Sequence, residues 1–345
     1  MKQRDSNMEL LRIVAMLLVM VVHASYRALP KPQMQDVIAY PSSTFLQLMT
    51  ESFSIIAVDL FIMLSGWYGI KMRFSRLSEL FFQVLFFGLV CAGISCWIEG
   101  GIPQDVIKHL LMLGENDYWF IKTYLALYLL SPVLNSFVET ASRRQFSMVL
   151  LCFFIFQWIY GWVFEATSWL RAGYSLPSFM ALYLLARYIK IHRPWFAQFR
   201  RFTDLFIYLY IGSCMTIVIF FLKRTWNIGG ILLFYNSPIV ILGSMYLLLF
   251  FSKLSFHNKI VNWVAISVLS IYLTHSNSYI GKYYDLFISQ WHCNENVFTF
   301  IFYTISLVVV VFISSVFLDK VRIMIWRRIQ AGLNKYLISR LPFHK

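Results

Sequence analysis

MELLRIVAMLLVMVVHAS, residues Met8–Ser25, is the stretch on which the reading of this chain turns. Ten unbroken apolar residues, Ile13 to Val22, lie between Arg12 and His23. A helix rises 1.5 Å and turns 100° per residue, so the eleven steps give about 16 Å of rise and an offset of about 20°. The guanidinium and the imidazole therefore share one face, about half a bilayer apart. Ionisable groups at membrane depth are costly and face a bundle interior or a wet cavity. Two of them on one stripe predict a polar track running inward from the membrane surface.

The rest of the chain agrees with a membrane setting. Of 345 residues, 59% are hydrophobic and only 13% charged, against about 25% charged in soluble domains. Spans need about 20 mainly apolar residues. They are expected at 10–29, 48–70, 77–97, 118–138, 146–164, 173–190, 203–221, 229–250, 260–281 and 297–319, about ten in all. The fold class is thus an all-α polytopic bundle. The chain forms a single membrane-embedded domain over 1–345, with 320–345 a basic cytoplasmic tail held as an interfacial helix by anionic lipid. The first apolar run carries Arg12 and His23 and lacks a small-residue cleavage site, so it is read as a span and not as a cleaved leader.

With the N-terminus inside, 22 of the 30 Lys and Arg fall on one side. By the positive-inside rule both termini are cytoplasmic. The same rule accounts for the net charge of +14 without nucleic acid as a partner. The outer loops are 30–47, 98–117 and 282–296; the second reads as a short amphipathic helix at the interface. Four of the five cysteines lie in apolar runs, and none has ligand spacing, so neither a disulfide framework nor a metal site is expected.

Several polar residues stand out at depth. Asp59 lies in the second expected span and His275 in the ninth. With His23 they fall about 11, 15 and 14 residues from the inner ends of their spans, in one slab of the membrane. A carboxylate beside an imidazole would fix its tautomer for general-base work. Asp59 has other readings: pairing with Arg73 or Arg76 through water, or capping a local break. A membrane histidine can also be only a packing hydrogen bond between helices. Near the inner end of the second span come Ser65 and Gly66, then Lys71, Arg73 and Arg76. Gly66 allows close approach of a helix or a ligand. The basic trio is either a topology signal or, with Arg12, a phosphate site, since arginine suits bidentate phosphate binding. Glu9 sits three residues before Arg12, within ion-pair reach on a helix.

Four segments in order resemble the membrane acyltransferase 3 family: Arg12 with His23 ten residues on; Val58-Asp59-Leu60-Phe61-Ile62-Met63-Leu64-Ser65-Gly66-Trp67; Tyr118-Trp119-Phe120-Ile121 through Tyr124 to Pro132; and Ser270-Ile271-Tyr272-Leu273-Thr274-His275. The family includes O-acetyltransferases of bacterial surface polysaccharides. Trp67 departs from the usual Tyr or Phe, and the basic cluster after the second span is sparse. The resemblance implies an enzyme that moves an acetyl group from cytoplasmic acetyl-CoA, as cosubstrate, to a hydroxyl of a cell-surface or lipid-linked glycan. It implies a bacterial-type plasma membrane, catalysis by His23, and Arg12, Arg73 and Arg76 near the CoA. It further implies no fused extracytoplasmic domain. Asp59, Tyr272 and His275 are the expected helpers of His23; Arg12, Ser65, Gly66, Lys71, Arg73 and Arg76 are the expected donor-binding set. Direct transfer and an acetyl-histidine intermediate both remain open. The rival is a transporter or flippase for a lipid-linked glycan or anion, against which the lack of an internal repeat counts.

Overall fold

The structure, a computed structural model, describes residues 5–114 and 118–340; the side chains of 171 and of 333–340 lie outside that description. In chain order the helices are α1 (Ser6–Val22), α2 (Met34–Ala39), α3 (Pro41–Ser54), α4 (Ala57–Tyr68) and α5 (Phe74–Glu99). Then come α6 (Val106–Leu110), α7 (Trp119–Thr140), α8 (Arg143–Gln157), α9 (Leu176–His192) and α10 (Arg201–Trp226). The last are α11 (Pro238–Ser252), α12 (Lys259–Ala265), α13 (Val268–His275), α14 (Gly281–Asn294) and α15 (Val297–Arg340). No strand occurs among the described residues.

Among the described residues, eight helical segments are long and apolar enough to cross a membrane. The sixth and ninth expected spans are also helical, but shorter. The first of these, α9, has 17 residues, starting at Leu176 with Pro177 in its first turn and ending where Arg193 takes a left-handed φ of 40°. The other is broken at Ile266-Ser267 into α12 and α13. The second span also differs from expectation. It begins at Pro41 rather than 48 and is interrupted at Ile55-Ile56, between α3 and α4.

The bundle has an apolar core that encloses a set of polar side chains, and its outside is apolar. Phe302, Ile305, Val309, Val310, Ile313 and Phe317 on α15 are exposed, while Asp59, Gln83, His275, Asp319 and Arg322 are buried. α1 is the central helix, packed on α3, α4, α12 and α13. α4 in turn packs closely on α9. Gly66 makes that approach possible: a Cβ there would collide with the carbonyl oxygen of Tyr183 and sit 2.9 Å from the Cβ of Ala186.

The expected loop at 282–296 is more ordered than the sequence implied, and the short helix expected within 98–117 is present. Residues 281–294 form α14, and 98–117 holds the one-turn α6, whose His109 is buried with its ring nitrogen 3.0 Å from Asn277 Nδ2. Residues 115–117 of that loop lie outside the described residues. The expected tail at 320–345 is not a separate interfacial helix as far as residue 340. α15 runs on without a break, because nothing from 319 to 332 caps or kinks it; residues 341–345 lie outside the described residues.

Candidate active site

The helical hydrogen bonding of α1 widens at its outer end. Residues His23–Arg27 form a π-helical turn in which the Ala28 amide donates to the His23 carbonyl at 3.0 Å. Such turns recur at functional sites. This one carries His23 to the broken α12–α13 segment. His23 Nδ1 lies 3.0 Å from His275 Nε2, with the ring centroids 5.1 Å apart.

The proton positions follow from the partners. His275 Nδ1 is 2.6 Å from the Ile271 carbonyl oxygen, which can only accept. Nδ1 therefore carries the hydrogen, and in a neutral ring Nε2 keeps its lone pair. His23 Nδ1 then donates to it, and the lone pair of His23 falls on Nε2. A base so oriented by a second group is the arrangement general-base catalysis uses. His275 is 1% exposed, so the arrangement is shielded from water.

An arginine completes the outer side. Arg27 pairs with Asp285 of α14 through Nε and Nη2, at 3.0 and 2.8 Å from Oδ1. Its Nη2 also donates to the His275 carbonyl at 3.2 Å, and its Nη1 is 3.3 Å from His23 Nδ1. Burial pushes the Asp285 carboxyl above its usual range, and the hydrogen bond and charge of Arg27 pull against that. Sequence reasoning counted Arg27 only as an outer-side charge. Its spacing of four from His23 was the available signal; nothing in the sequence pointed to Asp285.

Inward from His23, a cavity of about 590 Å³ reaches Arg12 and Arg76, with Ser65, Tyr124, Trp119 and Tyr272 among its walls. Arg12 and His23 thus line one space, as their shared stripe requires. A second cavity of about 430 Å³ adjoins it and is lined by Arg12, Ser65, Lys71, Arg73, Arg76 and Tyr128. Arg12 is held by Glu9, Nη1 donating to Oε2 at 2.8 Å. Ser65 Oγ is 3.2 Å from Tyr124 Oη. The loop carrying Lys71 and Arg73 is tied down at three backbone points. Tyr128 Oη accepts from the Arg73 amide at 2.8 Å, Tyr183 Oη accepts from the Ile70 amide at 3.1 Å, and Asn135 Nδ2 donates to the Ile70 carbonyl at 2.8 Å. Tyr183 also donates to Asn135 Oδ1 at 2.6 Å. Five of the six expected donor-binding residues therefore meet around two joined spaces on a rigid frame.

Two expectations are corrected. Gly66 lines neither cavity; it faces α9, and its role is helix packing. Asp59 does not orient His23. It is fully buried in the first turn of α4, just after the break, and neither carboxylate oxygen has a hydrogen-bond partner. It lines neither cavity, and with no side-chain hydrogen bond it does not cap the α3–α4 break either. Tyr272 lines the cavity, but its ring packs on His275 edge-on at 6.2 Å rather than bonding to His23. Trp67, the departure from the family pattern, also lies off both cavities, under Lys190 Nζ at 4.3 Å from its ring centroid. Among the described residues no group of three or more His, Cys, Asp or Glu could hold a metal, and all five cysteines are free.

The larger cavity thus joins a pair of arginines, Arg12 and Arg76, to an oriented histidine. The acyltransferase 3 family model, described as an acyltransferase domain, matches residues 5–319. The chain belongs to the acyltransferase 3 family. That match takes in every residue of the site, from Arg12 on α1 to His275 on α13, and identifies this multi-pass membrane protein as an acyltransferase. No curated protein and no solved structure matches the chain.

Proposed function

We propose that the protein moves an acetyl group from acetyl-CoA on the cytoplasmic side to a hydroxyl of a cell-surface or lipid-linked glycan at the outer side of a bacterial-type plasma membrane. The observation that carries this is the single cavity with Arg12 and Arg76 at one end and His23, paired with His275, at the other. The arginines bind the phosphates of CoA, and the pantetheine arm spans the rise of about 16 Å between Arg12 and His23. The thioester then lies beside His23.

His23 Nε2 takes the proton from the acceptor hydroxyl, and the oxygen attacks the thioester carbonyl carbon. The C–O bond forms as the C–S bond breaks. The CoA thiolate leaves and regains the proton from the His23 imidazolium, giving an ester and free CoA. His275 supports each step by accepting from Nδ1, which keeps Nε2 facing the reactants. Trp119 and Tyr235, both on the cavity wall and stacked with centroids 6.1 Å apart, offer aromatic faces of the kind sugar rings pack on.

The test is mass analysis of surface glycans in cells expressing the wild type, His23→Ala or no copy. Acetyl groups present with the wild type and absent in the other two support the proposal. Glycans acetylated to the same extent with His23→Ala would sink it.

A further inference from the structure

Arg322 differs from the other basic residues of α15. Arg327 and Arg328 are exposed, whereas Arg322 is 2% exposed. Its Nε donates to Asp319 Oδ1 at 2.6 Å, and the same oxygen accepts from Gln83 Nε2 at 3.2 Å. One edge of the guanidinium is thereby fixed by a fully buried carboxylate. The other edge is not satisfied. Nη1 is buried and makes no hydrogen bond; an oxygen of Glu79 stands off at 3.8 Å. A buried guanidinium donor without an acceptor is costly, and the Arg322 side chain is one of those lining the larger cavity, as are Arg12 and Arg76.

We propose that Arg322 is a binding residue for the diphosphate of the acyl donor, which it holds together with Arg12 and Arg76. This rests on the acyl-CoA reading above and deepens it. The three guanidinium groups bring the fork geometry that phosphate oxygens match, at the cavity end from which a pantetheine arm reaches His23. The adjoining smaller cavity carries Lys71 and Arg73, while Arg322 is absent from its walls. That space takes the far end of the donor, with its 3′-phosphate. Two phosphate groups thus meet two separate clusters, joined through Arg12 and Arg76. Glu79 is the carboxylate facing Nη1, too far at 3.8 Å to accept a hydrogen bond from it. Its side chain is 42% exposed, so it can turn to water when the diphosphate arrives.

The full-length protein in detergent is titrated with CoA, 3′-dephospho-CoA and pantetheine. Arg322→Lys keeps a positive charge against Asp319 but loses the planar fork. It should weaken binding of CoA and of 3′-dephospho-CoA by the same factor, about tenfold or more, and leave pantetheine unchanged. Glu79→Gln, which removes a competing charge, should tighten CoA binding. Lys71→Gln with Arg73→Gln should weaken CoA but not 3′-dephospho-CoA. The assignment is overturned if Arg322→Lys binds CoA as the wild type does, if it loses pantetheine equally, or if Glu79→Gln weakens CoA binding, the mark of a purely structural ion pair. The Glu79 variant decides the matter even if Arg322→Lys does not fold. Absence of CoA binding by the wild type would instead remove the acyl-CoA reading, and this assignment with it; a phosphate-bearing lipid headgroup at Arg322 would then be found as copurified lipid lost in Arg322→Lys.

Discussion

Replacing His275 with Leu removes the group that accepts from His23 Nδ1 while keeping an apolar side chain in a site that is 1% exposed. The lost contact is the 3.0 Å bond between the two rings. Leaving a buried donor without its partner costs about 1–3 kcal/mol, which is roughly 5- to 150-fold in rate if it is felt in the transition state. A second effect adds to this. With His275 gone, Arg27 Nη1 at 3.3 Å is the nearer neighbour of Nδ1, ahead of the Ser276 hydroxyl at 3.4 Å. A guanidinium can only donate, so it would hold the lone pair on Nδ1 and the proton on Nε2, where it silences the base. The upper bound is the whole contribution of general-base catalysis, about 10²–10⁴-fold. The expected result is a fall in kcat of about 100-fold or more, with KM for acetyl-CoA within about twofold, because the proposed phosphate-binding arginines lie at the far end of the cavity. His275→Gln, whose amide oxygen can accept from Nδ1, should recover part of the loss. The assay is acetyl transfer by protein in proteoliposomes over a range of acetyl-CoA concentrations. A His275→Leu enzyme with kcat within twofold of the wild type would refute the reasoning, as would a defect confined to KM.

Further outcomes follow from the surrounding frame. Gly66→Leu forces α4 away from the Tyr183 carbonyl; overpacking of this kind costs about 1–3 kcal/mol, so thermal unfolding in detergent should fall by several degrees, and an unchanged midpoint would contradict the packing role. Asn135→Leu strands the Ile70 carbonyl and the Tyr183 hydroxyl, and should raise KM for acetyl-CoA about threefold to tenfold through the loosened Gly69–Arg73 loop, with kcat preserved; a loss in kcat alone would argue against that route. Asp59→Asn should leave kcat within about threefold of the wild type, since no hydrogen bond joins Asp59 to His23; loss as deep as that of His23→Ala would restore Asp59 to the catalytic set.

The α1 stripe was legible because helical geometry is local: two ionisable residues eleven positions apart must share a face, and they line one cavity. Ser65, Lys71, Arg73 and Arg76 come to line the two joined cavities for a related reason, as they cluster within a dozen positions of the α4–α5 turn. Gly66 was ambiguous because a missing Cβ permits approach by either a helix or a ligand, and only the neighbour decides; here the neighbour is the α9 backbone. Asp59 was misread as the helper of His23 because depth alone was used to place it, whereas Val58, Phe61, Leu64 and Ser65 form the cavity face of α4 and Asp59 falls off it. His275 matched His23 in depth, and its direct contact came from the π-helical turn and the short α13, neither of which periodicity reveals. Arg322 was counted with the tail charges; its position three residues after Asp319, at the end of an apolar run, was the overlooked sign of a buried pair. The end of the second span was read well, but its start at Pro41 was missed because the polar residues Ser42, Ser43 and Thr44 lower the local hydropathy.

The most direct test of the account uses purified protein in sealed proteoliposomes of known orientation, with acetyl-CoA supplied on one face and an acceptor glycan on the other. The account predicts acetyl transfer with the wild type only when acetyl-CoA is on the face bearing Arg12, Lys71 and Arg73, and none with His23→Ala although CoA still binds. Transfer by His23→Ala at the wild-type rate, or transfer that is indifferent to which face receives acetyl-CoA, would contradict it.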